Sequence, residues 1–214
     1  DLHSFPTRRS SDLVGGSIDI AQTEQMVDAF LEAGLTYFDT ARAYGESEDA
    51  VRRALVERHP RDSFTLATKV APWLGSKNAE EAKALFDTSL EKTGAGYFDY
   101  YLLHNLGGAR TEFFDRFGLW DWARDLREQG KIKHLGFSMH DNAEALARVL
   151  EIHRDDVEFV QLQVNYADWE DKAVQSRACL EVARRFELPV VIMEPVRGGT
   201  LADKIGRASC RERV

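Results

Sequence analysis

Asp39-Thr40-Ala41-Arg42-Ala43-Tyr44-Gly45-Glu46-Ser47-Glu48 closes a short apolar run with an acid and sets a tyrosine five residues further on. An apolar strand does not call for a charge at its end. Two later runs share the habit, since Lys69 sits at the end of Phe64 to Val70 and His104 at the end of Phe98 to Asn105. Acid, phenol, amine and imidazole at the carboxyl ends of successive strands suggest one proton-transfer site.

Around that stretch the chain alternates. Strand-like runs are expected at Leu35 to Ala41, Phe64 to Val70, Phe98 to Asn105, His134 to Met139, Phe159 to Tyr166 and Val190 to Val196. Between them lie amphipathic, helix-compatible stretches at Thr23 to Ala33, Ser47 to Arg58, Ala79 to Thr93, Phe117 to Gln129, Ala143 to His153 and Val174 to Phe186. Gly34, Gly94 and Gly130 stand where left-handed helix caps belong. This alternation predicts an α/β fold with a parallel sheet, either closed as a (β/α)8 TIM barrel or open and doubly wound. A doubly wound dinucleotide fold should open on a strand and a G-x-G-x-x-G turn, which is absent here. A barrel instead gathers polar side chains from many strands at one mouth, and the barrel is favoured for that reason.

Alternate strand residues face the same way. With Asp39 inward, Tyr37 is inward and Phe38 outward. With Lys69 inward, Ala67 and Thr65 follow it while Phe64 and Leu66 face out, and with His104 inward, Leu103 and Tyr101 face out. Ser138, Gln161 and Gln163 extend the polar rim to the next strands.

Composition excludes several classes. The chain has 214 residues, 43% hydrophobic and 30% charged, which suits one compact domain. A net charge of −8 argues against a nucleic-acid partner, because phosphate binding needs clustered Lys and Arg. No apolar run reaches the roughly 20 residues of a membrane span and no signal-peptide core is present, so no membrane partner and a cytoplasmic location are expected. The two cysteines, Cys179 and Cys210, make neither a disulfide framework nor a metal cluster, and Cys179 reads as a small buried hydrophobe.

The ends are unlike the middle. His3 to Asp12 and Ile205 to Val214 are encodable by opposite strands of one DNA segment: His3 (CAC) faces Val214 (GTG), Phe5 (TTC) faces Glu212 (GAA), Asp12 (GAT) faces Ile205 (ATC), and Leu13 fits Lys204. Such DNA resembles a sequencing adapter read at both ends of an insert. Residues 1–13 and 204–214 are therefore expected to be non-native tails around an authentic chain at 14–203, and Cys210 carries no functional weight.

Over essentially all of 14–203 the sequence resembles the aldo-keto reductase family. The matching pieces are Asp39-Thr-Ala with Tyr44-Gly and Ser47-Glu48, Thr68-Lys69, Leu102-Leu-His104, Gly136-Phe-Ser138, Gln163-Val-Asn-Tyr166 and Glu194-Pro-Val-Arg-Gly-Gly199. Singly these are weak, but in order across six strands they are specific. Gly136 to His140 and Met193 to Gly199 look like the branch that often carries an iron-sulfur segment beyond the barrel. A [4Fe-4S] cluster would belong only to such a segment, which is not in this sequence, and no metal site is expected within it.

The resemblance implies reduction of an aldehyde or ketone to an alcohol by hydride from NADPH. It casts Tyr44 as proton donor, Lys69 as the cation favouring its phenolate, Asp39 as the partner holding that ammonium, and His104 as the group orienting the carbonyl. By motif, Ser138 and Gln163 would hold the nicotinamide carboxamide, and Val196, Arg197, Gly198 and Gly199 would lie along the pyrophosphate. Met193 stands where many members stack an aromatic ring on the nicotinamide, and Met139 where many have asparagine. The family barrel has eight strands against six here, so the first and last are expected to lie outside the sequence.

Plainer readings compete. Asp39 and Lys69 also fit a structural ion pair, Tyr44 a loop aromatic and His104 a core histidine. Gln161 reads as an interior hydrogen-bonding residue, and His140 as either a ligand contact or an exposed side chain. Trp73, Trp120, Trp122 and Trp169 fit pocket walls or helix packing, Gly107-Gly108 a flexible loop, and Asp168 to Asp171 a solvated helix start. The alternative function is a non-catalytic cofactor-binding regulatory or scaffold subunit on the same fold, because fold does not fix function. Another barrel enzyme, a lyase or isomerase, lacks a phosphate-gripping or metal signature here.

Overall fold

The computed structural model describes residues 13–14 and 17–201. Apart from Leu13, the tails expected at 1–13 and 204–214 lie outside the described residues. A small antiparallel hairpin pairs β1 (Leu13–Val14) with β2 (Ser17–Ile18). The body is a six-stranded, all-parallel sheet of β3 (Tyr37–Asp39), β4 (Thr65–Val70), β5 (Phe98–Leu106), β6 (Ile132–Met139), β7 (Phe159–Gln163) and β8 (Val190–Met193). The strands lie side by side in chain order. A doubly wound sheet reverses direction at a switch point, whereas this sequential order is that of a barrel wall, here a curled half-barrel.

Helices separate the strands: α1 (Ile20–Glu32), α2 (Ser47–Val51), α3 (Ala79–Thr93), α4 (Thr111–Arg116), α5 (Leu119–Glu128), α6 (Ala143–His153) and α7 (Ser176–Arg185). Side-chain caps mark three starts. Asp19 accepts from the Gln22 amide, Asn78 from Glu81 and Asn142 from Ala145. The Asp19 cap begins α1 three residues before the apolar period suggests. Helix α2 runs on as a π-helical turn over Arg52–Val56, and α4 is a short helix with no period long enough to announce it.

The strand alternation divides the apolar residues between two cores. Phe38, Phe64, Leu66, Tyr101, Leu103 and Phe137 join the helix residues in one large outer cluster. Tyr37, Ala67, Leu102, Phe159 and Val191 form a separate inner cluster on the concave face, with Tyr100 against it. This is the parity expected from Asp39, Lys69 and His104. Met139 belongs to the outer core, and so does Cys179, whose thiol is pushed up to about 11 by burial and then by the Asp141 charge.

Away from the rim, Asp99 fastens three strands. Its carboxylate accepts from the Leu66 amide, Arg61 and Lys133 at 2.9, 2.7 and 2.7 Å. Burial would raise its pKa, but the Lys133, Leu66 and Arg61 contacts outweigh burial and lower it.

Gly136 of β6 lies across from Phe159 of β7 in the ladder. A Cβ there would stand 2.6 Å from the Phe159 ring and 2.6 Å from its carbonyl oxygen. Only glycine lets the inner phenyl ring cross that strand. Gly136→Ala should therefore destabilise the protein by about 1–3 kcal/mol, seen as a lower urea midpoint at unchanged slope. An unchanged midpoint would show that the two strands separate freely.

Candidate active site

Strand β3 delivers Asp39 to the rim, and the following loop stays bound to β4. The Thr40 amide donates to the Ala67 carbonyl at 2.9 Å and the Arg42 amide to the Lys69 carbonyl at 3.1 Å. The loop therefore travels over Lys69 before it reaches Tyr44. Lys69 is wholly buried, and its Nζ donates to both Asp39 carboxylate oxygens at 2.7 and 2.6 Å and to the Thr40 carbonyl at 2.8 Å. It also hydrogen-bonds Tyr44 and lies 5.0 Å from that ring's centre. Three ammonium hydrogens thus face four acceptor oxygens, and the two oxygens of the one carboxylate share a hydrogen when the carbonyl and the phenol each take one. Burial alone would push the Lys69 pKa down, but Asp39 above all, with Tyr44, outweighs it, and the ammonium is held above its ordinary value.

His104 completes the group from β5. Its ring stands edge-on to Tyr44 with centres 5.4 Å apart, and Trp73 closes the other side at 5.7 Å. The Trp73 indole N–H donates to the His104 carbonyl at 3.0 Å, so this tryptophan walls the site, whereas Trp120 stacks on His153 within the helical layer. Directly after His104 the strand kinks. Asn105 has φ of 56°, its amide donates to Ser138 Oγ at 2.8 Å, and the β5–β6 register shifts between Leu103 and Leu106. Such irregularities at a barrel rim re-aim side chains.

A second tyrosine lies near Asp39 but takes no comparable position. Tyr37 belongs to the inner apolar cluster, and burial, then the Asp39 charge, pushes its phenol well above the ordinary range. Tyr44 is half-buried at the mouth. Gln161 is fully buried with its amide nitrogen 3.5 Å from Asp39 Oδ2, an interior residue as expected.

The other predicted contacts line one arc of the rim. Ser138, Gln163 and Met193 come from β6, β7 and β8, with Gln163 and Met193 paired in register. Ser138 is fully buried and engaged with Asn105. In the turn after β8, Arg197, Gly198 and Gly199 all have positive φ, at 49°, 61° and 90°. The amides of Gly199, Thr200 and Leu201 donate back within that turn, to the carbonyls of Val196 and Arg197. The glycines close the turn on itself here, and its cation, the half-exposed Arg197 guanidinium, pairs with Asp168 at 3.4 Å. A hydroxyl, an amide, a thioether and a guanidinium on one arc suit an aromatic amide joined to a phosphate. Among the described residues no cluster of three His, Cys, Asp or Glu could hold a metal ion.

Some site features escaped the sequence. Glu48 is fully buried, accepting from the Thr68 hydroxyl at 2.9 Å and pairing with Arg42 at 3.5 Å, which ties the Tyr44 loop to the strand of Lys69. Thr40 and Ser47 share a hydroxyl bond at 2.8 Å across the same loop. Two readings need correction. Asp168 is not part of a solvated helix start, because it is wholly buried in a turn and α7 begins only at Ser176. Gly107 is packed, since a Cβ on it would meet Asp141 Oδ2 at 2.7 Å.

The sequence pattern of the Aldo/keto reductase family matches residues 9–211. This chain belongs to that family. Aldo-keto reductase str7 of Strobilurus tenacellus is 30% identical over 183 residues, covering 83% of this chain and 51% of that protein. An aldo-keto reductase of Mycolicibacterium vanbaalenii is 37% identical over 125 residues, covering 58% of this chain and 42% of the relative. The chain spans about half the length of the curated relatives it matches. In fold it resembles an aldo/keto reductase from Brucella melitensis, with a TM-score of 0.67 at 24% identity over 84% of this chain and 65% of that one. It also resembles a Bombyx mori aldo-keto reductase in complex with NADP, with a TM-score of 0.68 at 21% identity over 90% and 62%. At those identities the likeness speaks to fold alone.

A buried ammonium and its carboxylate are each costly without the other. Lys69→Met alone should cost about 3–5 kcal/mol, while Asp39→Asn combined with Lys69→Met should recover most of that loss. The folded-state pKa of Lys69 is raised, so the pair's contribution is complete below 10.5 and disappears as pH climbs through the higher folded value. Urea unfolding at about pH 7 and about pH 11 checks both. A single mutant as stable as the double would refute the energetic coupling.

Proposed function

We propose that this aldo-keto reductase chain contributes the catalytic rim of an NADPH-dependent enzyme that reduces a small aldehyde or ketone to an alcohol. The supporting observation is the hydrogen-bonded series Asp39, Lys69 and Tyr44, with the His104 ring edge-on to the phenol. Family membership supplies the reaction class. The bound nicotinamide would supply the hydride.

What the protein's own groups do follows from charge. As a carbonyl gains hydride its oxygen turns anionic and needs a proton. Tyr44 faces the mouth and gives its hydroxyl proton to that oxygen, forming the alcohol O–H. The resulting phenolate rests against the Lys69 ammonium, which Asp39 and the Thr40 carbonyl keep charged and aimed. His104 hydrogen-bonds the carbonyl oxygen and fixes which lone pair meets Tyr44. Trp73 shields that side from water. A binding-only scaffold would need none of these four groups.

Ser138, Gln163 and Met193 would hold the nicotinamide end, and Val196, Arg197, Gly198 and Gly199 the phosphates after the turn reopens. A preference for NADPH over NADH rests on the family resemblance alone. We further place the chain as six strands of an eight-stranded barrel, 14–203, between non-native tails. The β3 and β8 edges then pair with strands outside this sequence.

The test uses the complete barrel with NADPH and a panel of aldehydes and quinones, followed by loss of nicotinamide absorbance. Tyr44→Phe keeps the ring and removes the proton, so turnover should fall by about 10²-fold or more while cofactor binding stays nearly unchanged. Reduction at the parental rate by that variant would overturn the assignment.

A further inference from the structure

Asp168 stands outside the four-group cluster, yet it is fully buried and hydrogen-bonded from several elements. Its Oδ2 accepts from the side-chain amide nitrogens of Gln163 and Asn165, both at 2.6 Å. Its Oδ1 faces Arg197 at 3.4 Å, which balances the charge. Asn165 is held in turn, donating to the Glu194 carbonyl at 3.1 Å and accepting from the Ala167 and Asp168 amides at 3.0 and 2.9 Å. One carboxylate thereby joins the end of β7 to the turn after β8.

The chemistry of the acceptor decides what Gln163 shows to the rim. A side-chain amide has two nearly isosteric ends, and its partners alone determine which way it points. An ionised carboxylate carries no hydrogen, so the end of Gln163 facing Asp168 must be the NH2. At the opposite end Gln163 Oε1 lies 2.8 Å from His140 Nδ1, which requires the histidine to donate there. Gln163 is then left with one amide hydrogen and one carbonyl lone pair for a ligand. A carboxamide, which both accepts and donates, satisfies that pair of groups. A ring substituent that only accepts satisfies half of it.

We propose that Asp168 is a positioning residue that sets the direction of the Gln163 amide, with His140 as its counterpart, and so makes the site selective for a ring bearing a carboxamide. The selectivity rests on the nicotinamide reading above, whereas the direction of the amide does not.

Two measurements separate the claims. In the ligand-free chain the Gln163 side-chain NH2 should give a solvent-protected resonance in an amide ¹⁵N–¹H spectrum, lost in Asp168→Asn, whose own amide no longer dictates direction. On the complete barrel, dissociation constants for NADPH and for its 3-acetylpyridine analogue are compared by quenching of protein fluorescence. The unmutated protein should prefer the carboxamide by about ten-fold, one net hydrogen bond, and Asp168→Asn should reduce that ratio to about two-fold or less. His140→Phe, which removes the partner at the other end, should also shrink the ratio and serves if the Asp168 variant fails to fold. A general loss of structure would weaken both ligands alike and leave the ratio intact, and that result in both variants overturns the proposal. If the unmutated protein binds neither nucleotide, the cofactor reading fails and the selectivity with it, while the amide spectrum still decides whether Asp168 directs Gln163.

Discussion

A lysine ammonium cannot be withdrawn from water without acceptors for its hydrogens, and the shape of the rim around Lys69 is a response to that requirement. The acceptors come from three places in the chain: the Asp39 carboxylate ending β3, the Thr40 carbonyl beginning the next loop, and the Tyr44 phenol beyond it. The loop must therefore lie over Lys69, and its backbone bonds to Ala67 and Lys69 hold it there. Glu48 and Thr68 make the same connection one layer further out. A charge that is expensive to bury dictates the path of the segment carrying the proposed acid.

The alternation of the strands makes that burial possible. Large apolar side chains pack outward against the helices, while the inner face holds a smaller cluster with Tyr37, Ala67, Leu102, Phe159 and Val191. Above that cluster the strands end in polar groups that face one another across the mouth. Gly136 admits the Phe159 ring, and the kink at Asn105 turns the chain sharply once His104 is placed. Support at the other end comes from Asp99 with Arg61 and Lys133, far from the chemistry. Packing and polar satisfaction thus act at opposite ends of the same strands.

Much of this was legible in local pattern. Six strands, the parity of Asp39, Lys69 and His104, the caps at Gly34, Gly94 and Gly130, and the ranges of α3 and α6 all follow from periodicity and short-range chemistry. Asp19 as a cap, the π-helical turn after α2 and the short α4 were not legible. Asp168 reads as solvated in the sequence because neighbouring acids in a polar loop normally are, and the approach of Arg197, far along the chain, has no local signal. Glu48 stood in the motif without a role for the same reason, since its partner Thr68 is twenty residues away.

Order along the chain, then, was enough to reveal the α/β repeat and to set Asp39, Lys69 and His104 at strand ends with Tyr44 in the loop after the first, because these depend on residue type and on spacing of two or 3.6. The family entered as a resemblance carried by the ordered motifs. Whether those groups meet depended on how β3, β4 and β5 lie beside one another, which is a long-range pairing that no local window contains. The contact of His140 with the Gln163 amide and the pairing of Asp168 with Arg197 likewise belong to tertiary structure. Each is settled by a partner brought close by the fold, and hydrogen-bond satisfaction in a buried site is a property of the assembled neighbourhood.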